Sequence, residues 1–273
     1  MPSPEVINWL RLRFFPHIWC PGCGLGVIMH SILRALIGLK QDPTETVIAS
    51  GIGCSSRMPG YIDACTVHTT HGRSLAFATG IKLFKPELTV IDVMGDGDCT
   101  AIGGNHFIHA CRRNLNITAI VMNNNTYGMT GGQSSPTTPV GSWATTAPWG
   151  AIDQPFDICR LAEGAGASYV ARSTIANPKQ IELYVTNGIK NKGFSVIEVM
   201  THCHTQFGRK NNRKAPIDNY NFFKEHSIPL SKAKEMTKEE LKGKFVCGEF
   251  INGTDAPEYN EEYDKVIKKA GGK

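Results

Sequence analysis

The sequence predicts an α/β fold, a mostly parallel sheet with helices on both faces. Three observations predict it. Short apolar runs rich in β-branched residues alternate with segments of helical periodicity, the order that gives parallel strands joined by crossover helices. Several of these runs end abruptly at glycine or asparagine, as strands do where they open into loops. The chain has 273 residues, 41% of them hydrophobic and 19% charged, enough for one large core or two smaller ones.

In chain order, an opening segment to about Phe15 leads to Trp19-Cys20-Pro21-Gly22-Cys23-Gly24. A helix is predicted over 25–39, where Val27, Ile28, Ile32, Leu33 and Leu36 recur at helical spacing. Residues 46–50 read as a strand that ends in Gly51-Ile52-Gly53-Cys54, and Gly72-Arg73 open a helix through Phe84 that Pro86 stops. Residues 89–94 form a buried strand ending at Gly95, and 118–122 another ending at Asn123, with a helix over 101–112 between them. Two such parallel strands deliver their loops to one carboxyl edge, where open α/β folds place ligands. Residues 130–155 are rich in Gly, Ser, Thr and Pro, too long for an ordinary connection, and read as a functional loop. A helix over 157–163, a strand over 168–171, a helix over 178–189 and a strand over 194–200 continue the alternation. After Thr201 the pattern fades into a polar, lysine-rich tail. The expected division is an α/β domain over 1–203 and a C-terminal extension over 204–273 that packs on the domain or on a partner.

Apolar runs stop well short of the roughly 18 residues a membrane span needs. The start, Met1-Pro2-Ser3-Pro4-Glu5, lacks a basic region followed by an apolar run and a cleavage site, so a cytoplasmic address is expected. The net charge is +5, and its densest run is Arg209-Lys210-Asn211-Asn212-Arg213-Lys214. That run is either a solvated loop or a docking patch for an acidic partner, since such charge speeds encounter. The basic residues form no long stripe, which argues against nucleic acid. Nine cysteines, an odd number without an export signal, argue against a disulfide framework and leave metal or cluster ligation for part of the set.

Gly95-Asp96-Gly97-Asp98 is followed by Asn123-Asn124 and then by Tyr127-Gly128-Met129-Thr130-Gly131-Gly132-Gln133. The pattern resembles the motif by which thiamine diphosphate enzymes hold the cofactor's pyrophosphate through magnesium. In that reading Asp96 supplies a carboxylate, Asn124 an amide oxygen and Thr126 a backbone carbonyl, leaving room for two phosphates on an octahedral ion. Gly95 and Gly97 suit a tight turn that approaches the diphosphate closely. Alone, Gly-Asp-Gly would be only a turn after a strand; the spaced Asn-Asn and the glycine-rich run favour the cofactor.

Cys20 and Cys23 have a common ligand spacing that fits zinc, redox chemistry or a cluster. Cys54 follows a predicted strand at the same sheet edge as Asp96, and Cys203, within Thr201-His202-Cys203-His204, follows the last predicted strand. Four thiolates from three loops suit a [4Fe-4S] cluster. The alternative is a zinc knuckle at Cys20 and Cys23, with Cys54 and Cys203 as inert thiols. Cys65, Cys99, Cys111, Cys159 and Cys247 are expected to be buried and inert.

Assembled, these pieces resemble the β subunit of 2-oxoacid:ferredoxin oxidoreductases, from the Cys20-Pro-Gly-Cys23 motif to about Pro216. Gly51-Ile-Gly-Cys-Ser-Ser56, His71-Gly-Arg73, the glycine-aspartate motif and the run from Tyr127 to Gln133 carry the rest. The resemblance implies a thiamine diphosphate-binding fold with thiamine diphosphate, Mg2+ and a [4Fe-4S] cluster as cofactors. It implies Cys20, Cys23, Cys54 and Cys203 as cluster ligands and Asp96, Asn124 and Thr126 as magnesium ligands. Gly53, Cys54, Ser55, His71, Gly95, Gly97, Asp98, Tyr127, Gly128, Met129 and Thr130 should surround the thiamine cofactor. The implied reaction is coenzyme A-dependent oxidative decarboxylation of a 2-oxoacid with electrons to ferredoxin, or the reverse carboxylation, as in a reductive TCA cycle. Activity should require an α subunit, in a heterodimer or a dimer of heterodimers, which brings the carboxylate that activates the aminopyrimidine ring. His71 and Arg73 are expected near cofactor or substrate, unless they only start a helix. Arg57 matches a position that faces the substrate, where a guanidinium can grip a second carboxylate and favour 2-oxoglutarate over pyruvate; otherwise it pairs with an acid of the partner. The segment from Thr201 to Asn211 also looks like the 2-oxoglutarate branch. Other readings are a pyruvate or broad-specificity member, a thiamine-dependent decarboxylase with structural zinc, and a non-enzymatic iron-sulfur carrier.

Overall fold

The computed structural model describes residues 3–271, so Met1 and Pro2 at the start lie outside the described residues. In chain order the strands are β1 (Thr46–Ser50), β2 (Cys65–His68), β3 (Thr89–Gly95), β4 (Thr118–Asn123), β5 (Thr126–Tyr127), β6 (Gln133–Ser134), β7 (Tyr169–Thr174), β8 (Ser195–Met200), β9 (Ser227–Pro229) and β10 (Phe245–Asn252). The helices are α1 (Pro4–Ile7), α2 (Leu25–Gly38), α3 (Ser74–Phe84), α4 (Gly104–Arg113), α5 (Ile158–Gly164), α6 (Pro178–Lys190), α7 (Pro216–His226), α8 (Leu230–Ala233), α9 (Lys238–Leu241) and α10 (Tyr259–Lys269).

Eight strands form one sheet in the order β2-β1-β3-β4-β8-β7-β10-β9, and β5 with β6 makes a separate hairpin. Neighbours in the large sheet are parallel except β7 and β10. β1, β4 and β8 are buried at every residue, as a parallel sheet covered on both faces requires. Alternation along the strands then divides the core in two. Ile48, Ile91, Ile120 and Ile197 pack with Ile28, Ile32 and Leu36 of α2 and Ile181 and Val185 of α6. On the other face Val47, Ala49, Val90, Val121 and Val196 pack with Leu75 of α3, Phe107 of α4 and Ile158 of α5. Each such aliphatic side chain contributes about 1.5–3 kcal/mol on burial. Local signals agree with the packing: Asp157 caps α5 by accepting from the Arg160 amide, and Asn177 caps α6 ahead of Pro178.

The α/β expectation holds, with several differences. Val27 falls off the buried face of α2 and is 38% exposed. α4 starts three residues later than expected because Asp98–Ile102 forms a wide π-helical turn, closed where Gly103 packs on the Asp98 carbonyl oxygen; a Cβ there would lie 2.2 Å from that oxygen. The lysine-rich C-terminal stretch is no loose tail: β10 pairs antiparallel with β7, β9 pairs with β10, and Asn260 of α10 donates to the Lys82 carbonyl at 3.1 Å. Cys65 is exposed rather than buried, whereas Cys99, Cys111, Cys159 and Cys247 are buried. Among the described residues no helix is long and apolar enough to cross a membrane.

Candidate cofactor and cluster site

The adjacent central strands β1, β3, β4 and β8 are parallel, so the loops that leave their carboxyl ends share one edge. Those loops carry Gly51 to Cys54, Asp96, Asn124, and Thr201 to Cys203. One cavity at this edge is lined by Gly53, Cys54, Ser55, His71, Gly95, Asp96, Gly97, Asp98, Asn124, Thr126, Tyr127, Gly128, Met129 and Thr130, together with Leu25, Ile52 and Met122. The structure therefore brings together all the residues expected around the thiamine cofactor.

Asp96 is 2% exposed. Its Oδ2 accepts from the hydroxyls of Ser135 and Thr137, the latter at 2.7 Å, and its Oδ1 lies 3.4 Å from the Asn124 amide. Burial raises its pKa in spite of these hydrogen bonds, and no cationic side chain acts on it. A buried carboxylate in that state calls for a positive charge, which fits a divalent ion. The Asn124 side chain accepts from the Thr126 amide at 3.2 Å, and Asn125 takes up a positive φ of 60° to make the turn. Gly97 lines the cavity, and a Cβ there would sit 2.2 Å from the Tyr127 ring, so this glycine also seats Tyr127.

Asp98 lines the cavity but is already engaged. It pairs with His71 Nδ1 and accepts from the Gly72 amide at 2.7 Å. A Cβ at Gly51 would lie 2.1 Å from Asp98 Oδ2, so the niche exists only with glycine there. With Nδ1 held by the carboxylate, Nε2 is the free ring nitrogen of His71, whose side chain is 37% exposed at the cavity.

Two expected residues are not brought into the cavity. Arg73 donates from Nη1 to the carbonyl oxygens of Ile102 (2.7 Å) and Gly72 (3.3 Å), tying the start of α3 to the Asp98–Ile102 turn. Arg57 lies exposed on the 3-10 turn Ser55–Gly60 and lines neither this cavity nor the next one.

Cys20, Cys23, Cys54 and Cys203 line a second cavity of ≈ 240 Å³. It shares Leu25, Cys54, Asn124, Gly128 and Met129 with the first. The Thr205 hydroxyl lies 3.8 Å from Cys20 Sγ and 3.6 Å from Cys203 Sγ. Trp19 Nε1 fixes the Cys54 carbonyl at 2.8 Å, and a Cβ at Gly128 would meet Cys203 Sγ at 3.0 Å. Burial, with smaller contributions from the other thiols, pushes Cys23 up to about 12 and Cys54 to about 11. His202, in the same lining, donates from Nε2 to the Gly22 carbonyl at 3.1 Å, and burial pushes its pKa down to about 4.

Spacing bears on what the four sulfurs could hold. A tetrahedral zinc ion with Zn–S of ~2.3 Å needs sulfurs about 3.8 Å apart. Among the described residues only Asp157, Cys159 and Glu198 bring three ligand atoms within 4.8 Å of one another, so no three of the four sulfurs are that close. The wider set fits an inorganic cube better than a single ion. Asp157 and Glu198 are themselves neutralised by Arg172, which lies 2.6 Å from Glu198, so they form an ion-pair network.

Sequence reasoning missed the residues that hold Asp96 in place. Thr137 Oγ1 also lies 3.0 Å from Asn123 Oδ1, Asn123 Nδ2 donates to Glu198 at 2.8 Å, and Thr138 Oγ1 donates to the Asn125 carbonyl at 2.7 Å. The available signal was the hydroxyl-rich Ser134-Ser135-Pro136-Thr137-Thr138 just after the glycine run, inside the long loop.

Comparison with known proteins agrees with this geometry. Residues 51–199 match the family described as thiamine pyrophosphate enzyme, C-terminal TPP binding domain. The chain is 52% identical over 264 residues to the 2-oxoglutarate synthase subunit KorB of Methanocaldococcus jannaschii, covering 97% of each chain. It is 48% identical over 265 residues to the KorB subunit of Methanothermobacter marburgensis, covering 97% of this chain and 93% of that one. Its fold is similar to that of the 2-oxoglutarate:ferredoxin oxidoreductase from Magnetococcus marinus, solved with 2-oxoglutarate, coenzyme A and succinyl-CoA bound. That superposition has a TM-score of 0.87 at 32% identity and covers 100% of this chain and 93% of that chain.

Proposed function

Since the chain belongs to the family of KorB-type β subunits of the 2-oxoacid:ferredoxin oxidoreductases, we propose that with an α subunit it converts 2-oxoglutarate, coenzyme A and oxidised ferredoxin to succinyl-CoA, carbon dioxide and reduced ferredoxin, or runs the reverse carboxylation. The observation that carries this reading is the pair of cavities with a common wall: a buried, uncompensated aspartate in one, four cysteines in the other, and Cys54 in both. When bound, thiamine diphosphate supplies an electron sink for decarboxylation and a [4Fe-4S] cluster accepts electrons one at a time.

The chain's own residues have distinct tasks. Asp96, the Asn124 side chain and the Thr126 carbonyl hold magnesium, while Ser135 and Thr137 fix one carboxylate oxygen so that the other is presented to the ion. Cys20, Cys23, Cys54 and Cys203 hold the cluster. The first cavity is only ≈ 90 Å³, well below the roughly 300 Å³ of a complete small-molecule site, so the partner subunit encloses the remainder of the cofactor. Arg57, exposed beside Ser55, is free to meet a distal carboxylate of the substrate once that partner is in place.

His71 moves a proton at Nε2, and Asp98 fixes the tautomer that leaves this nitrogen facing the cavity. Asp98→Asn should lower kcat/KM for 2-oxoglutarate by about 10²–10⁴ and distort the pH-rate profile, with thiamine diphosphate binding unchanged. Unchanged kcat/KM and profile would reduce the pair to structural support. Arg57→Met should raise KM for 2-oxoglutarate by about tenfold and leave pyruvate turnover unaffected, the loss of one charge-assisted contact. Equal KM values in variant and wild type would remove the reason to favour the dicarboxylate.

The function itself is tested by co-purifying the chain with its α subunit and supplying 2-oxoglutarate, coenzyme A and ferredoxin. Ferredoxin reduction that depends on coenzyme A is expected. Carbon dioxide release without coenzyme A or any electron acceptor would instead mark a non-redox decarboxylase.

A further inference from the structure

We infer that Glu198 is a positioning residue for both magnesium-holding side chains, Asp96 and Asn124, and acts on them through the amide of Asn123. The inference rests on the proposed function, in which those two residues hold the ion. Glu198 lies on β8 inside the sheet and is 1% exposed, where a carboxylate is costly unless both oxygens find donors. Both do. Oε2 receives Arg172 Nε at 2.6 Å and Cys159 Sγ at 3.4 Å, and Oε1 receives Asn123 Nδ2 at 2.8 Å. Arg172 stands directly opposite on β7, whereas Asn123 is the diagonal neighbour on β4, two residues beyond Val121, which faces Glu198 across the pair. The ion pair with Arg172 needs only one of the two oxygens, and buried ion pairs add little net stability. The other oxygen is turned toward the functional edge.

Donor and acceptor chemistry makes the link directional. Asn123 Oδ1 accepts from the Asn125 amide at 3.1 Å, closing the turn on which Asn124 sits. A backbone N–H can only donate and a carboxylate can only accept, so Asn125 and Glu198 leave the Asn123 amide a single orientation. The same Oδ1 lies 3.0 Å from the Thr137 hydroxyl, which is 2.7 Å from Asp96 Oδ2. One amide, held by Glu198, therefore fixes the turn that presents Asn124 and the hydroxyl that fixes Asp96. Outer partners of this kind set metal affinity without touching the metal. Neither Glu198 nor Asn123 lines the two cavities at this edge, so their effect on the ion passes through the residues that do.

The test uses the complex with its α subunit, titrating magnesium at saturating thiamine diphosphate and measuring the cofactor retained after gel filtration. Glu198→Gln keeps the side-chain shape but brings an NH2 group; with its oxygen drawn to Arg172, that group faces Asn123 and turns the Asn123 amide over. The magnesium concentration for half retention should rise by about 10–100-fold. Iron and sulfide should stay at the wild-type level, and at saturating magnesium KM for 2-oxoglutarate should stay within about twofold. Asn123→Ala, which leaves the Arg172–Glu198 pair in place, should give a similar rise, and the double variant no more than Asn123→Ala alone, because the two residues act in series. If Glu198→Gln does not assemble with the α subunit, Glu198→Asp, which keeps the charge on a side chain one methylene shorter, is measured in its place with the same expected rise. A wild-type magnesium requirement in either single variant would overturn the inference, as would a double variant whose rise is the product of the two, or iron lost together with the cofactor. A wild-type complex that retains no thiamine diphosphate at any magnesium concentration would instead overturn the proposed function, and this relay with it.

Discussion

Asp96→Ala is expected to strip the complex of thiamine diphosphate and magnesium while leaving its iron content at the wild-type level. Turnover should fall by about 10³-fold or more, the scale of losing a metal ligand that orients a cofactor. The physical basis is the buried Asp96 carboxylate directly after β3, to which two hydroxyls and an amide already donate without any nearby cation. Its raised pKa carries a sign that can be checked. The metal-free fold binds this proton more tightly than the unfolded chain, so the stability it contributes is present below the ordinary carboxylate value of 3.8 and is lost as pH rises through the raised value. At neutral pH, then, Asp96→Asn without magnesium should melt no lower than wild type, although it too fails to retain the cofactor. Fluorescent thiamine assay and metal analysis of the purified complex check the first part, and thermal melts with and without magnesium check the second. Parallel loss of iron and cofactor would show folding damage instead.

Cys23→Ala should do the reverse, abolishing bound iron and sulfide together with ferredoxin reduction while thiamine diphosphate stays bound. Cys23 is the sharper choice than Cys54 because Cys54 lines both cavities, whereas Cys23 lines only the four-cysteine one. Burial pushes the Cys23 thiol up to about 12, so the pocket itself resists a bare thiolate. A cluster that supplies positive iron makes the thiolate stable, and without the fourth thiolate one iron loses its protein ligand and the cluster is no longer held. Acid-labile sulfide, iron and low-temperature electron paramagnetic resonance measure the outcome. Retention of full iron would place Cys23 outside the ligand set.

The parts of the fold legible in the sequence are those buried on both faces. β1, β3, β4 and β8 are apolar runs with a sharp end, so their positions and the loops after them are readable, and with them Cys54, Asp96, Asn124 and Cys203. β2 is exposed at both ends of Cys65–His68 and has no such run. β10 is half-buried for most of its length and sits among lysines, so composition alone reads as a tail although its backbone pairs with β7. Edge strands of this kind are specified by pairing partners distant in sequence, which periodicity does not report.

The site shows the same limit. Position after a strand identifies which residues reach the functional edge but not where their side chains turn. Arg73 sits in a motif that suggests chemistry, yet its guanidinium ends on backbone carbonyls. Asp98 reads as part of the diphosphate motif, yet it binds His71 and the Gly72 amide. Ser135 and Thr137 look like filler in a hydroxyl-rich loop until the hairpin of β5 and β6 folds that loop back on Asp96. Only a tertiary contact gives them their role.

The most direct measurement is the composition of the complex purified without oxygen. About four iron and four sulfide per β chain, together with about one thiamine diphosphate, and a reduced-cluster signal that develops when 2-oxoglutarate and coenzyme A are added, are the predicted result. Zinc without sulfide at the four cysteines, or a cluster that stays oxidised in the presence of both substrates, would contradict it.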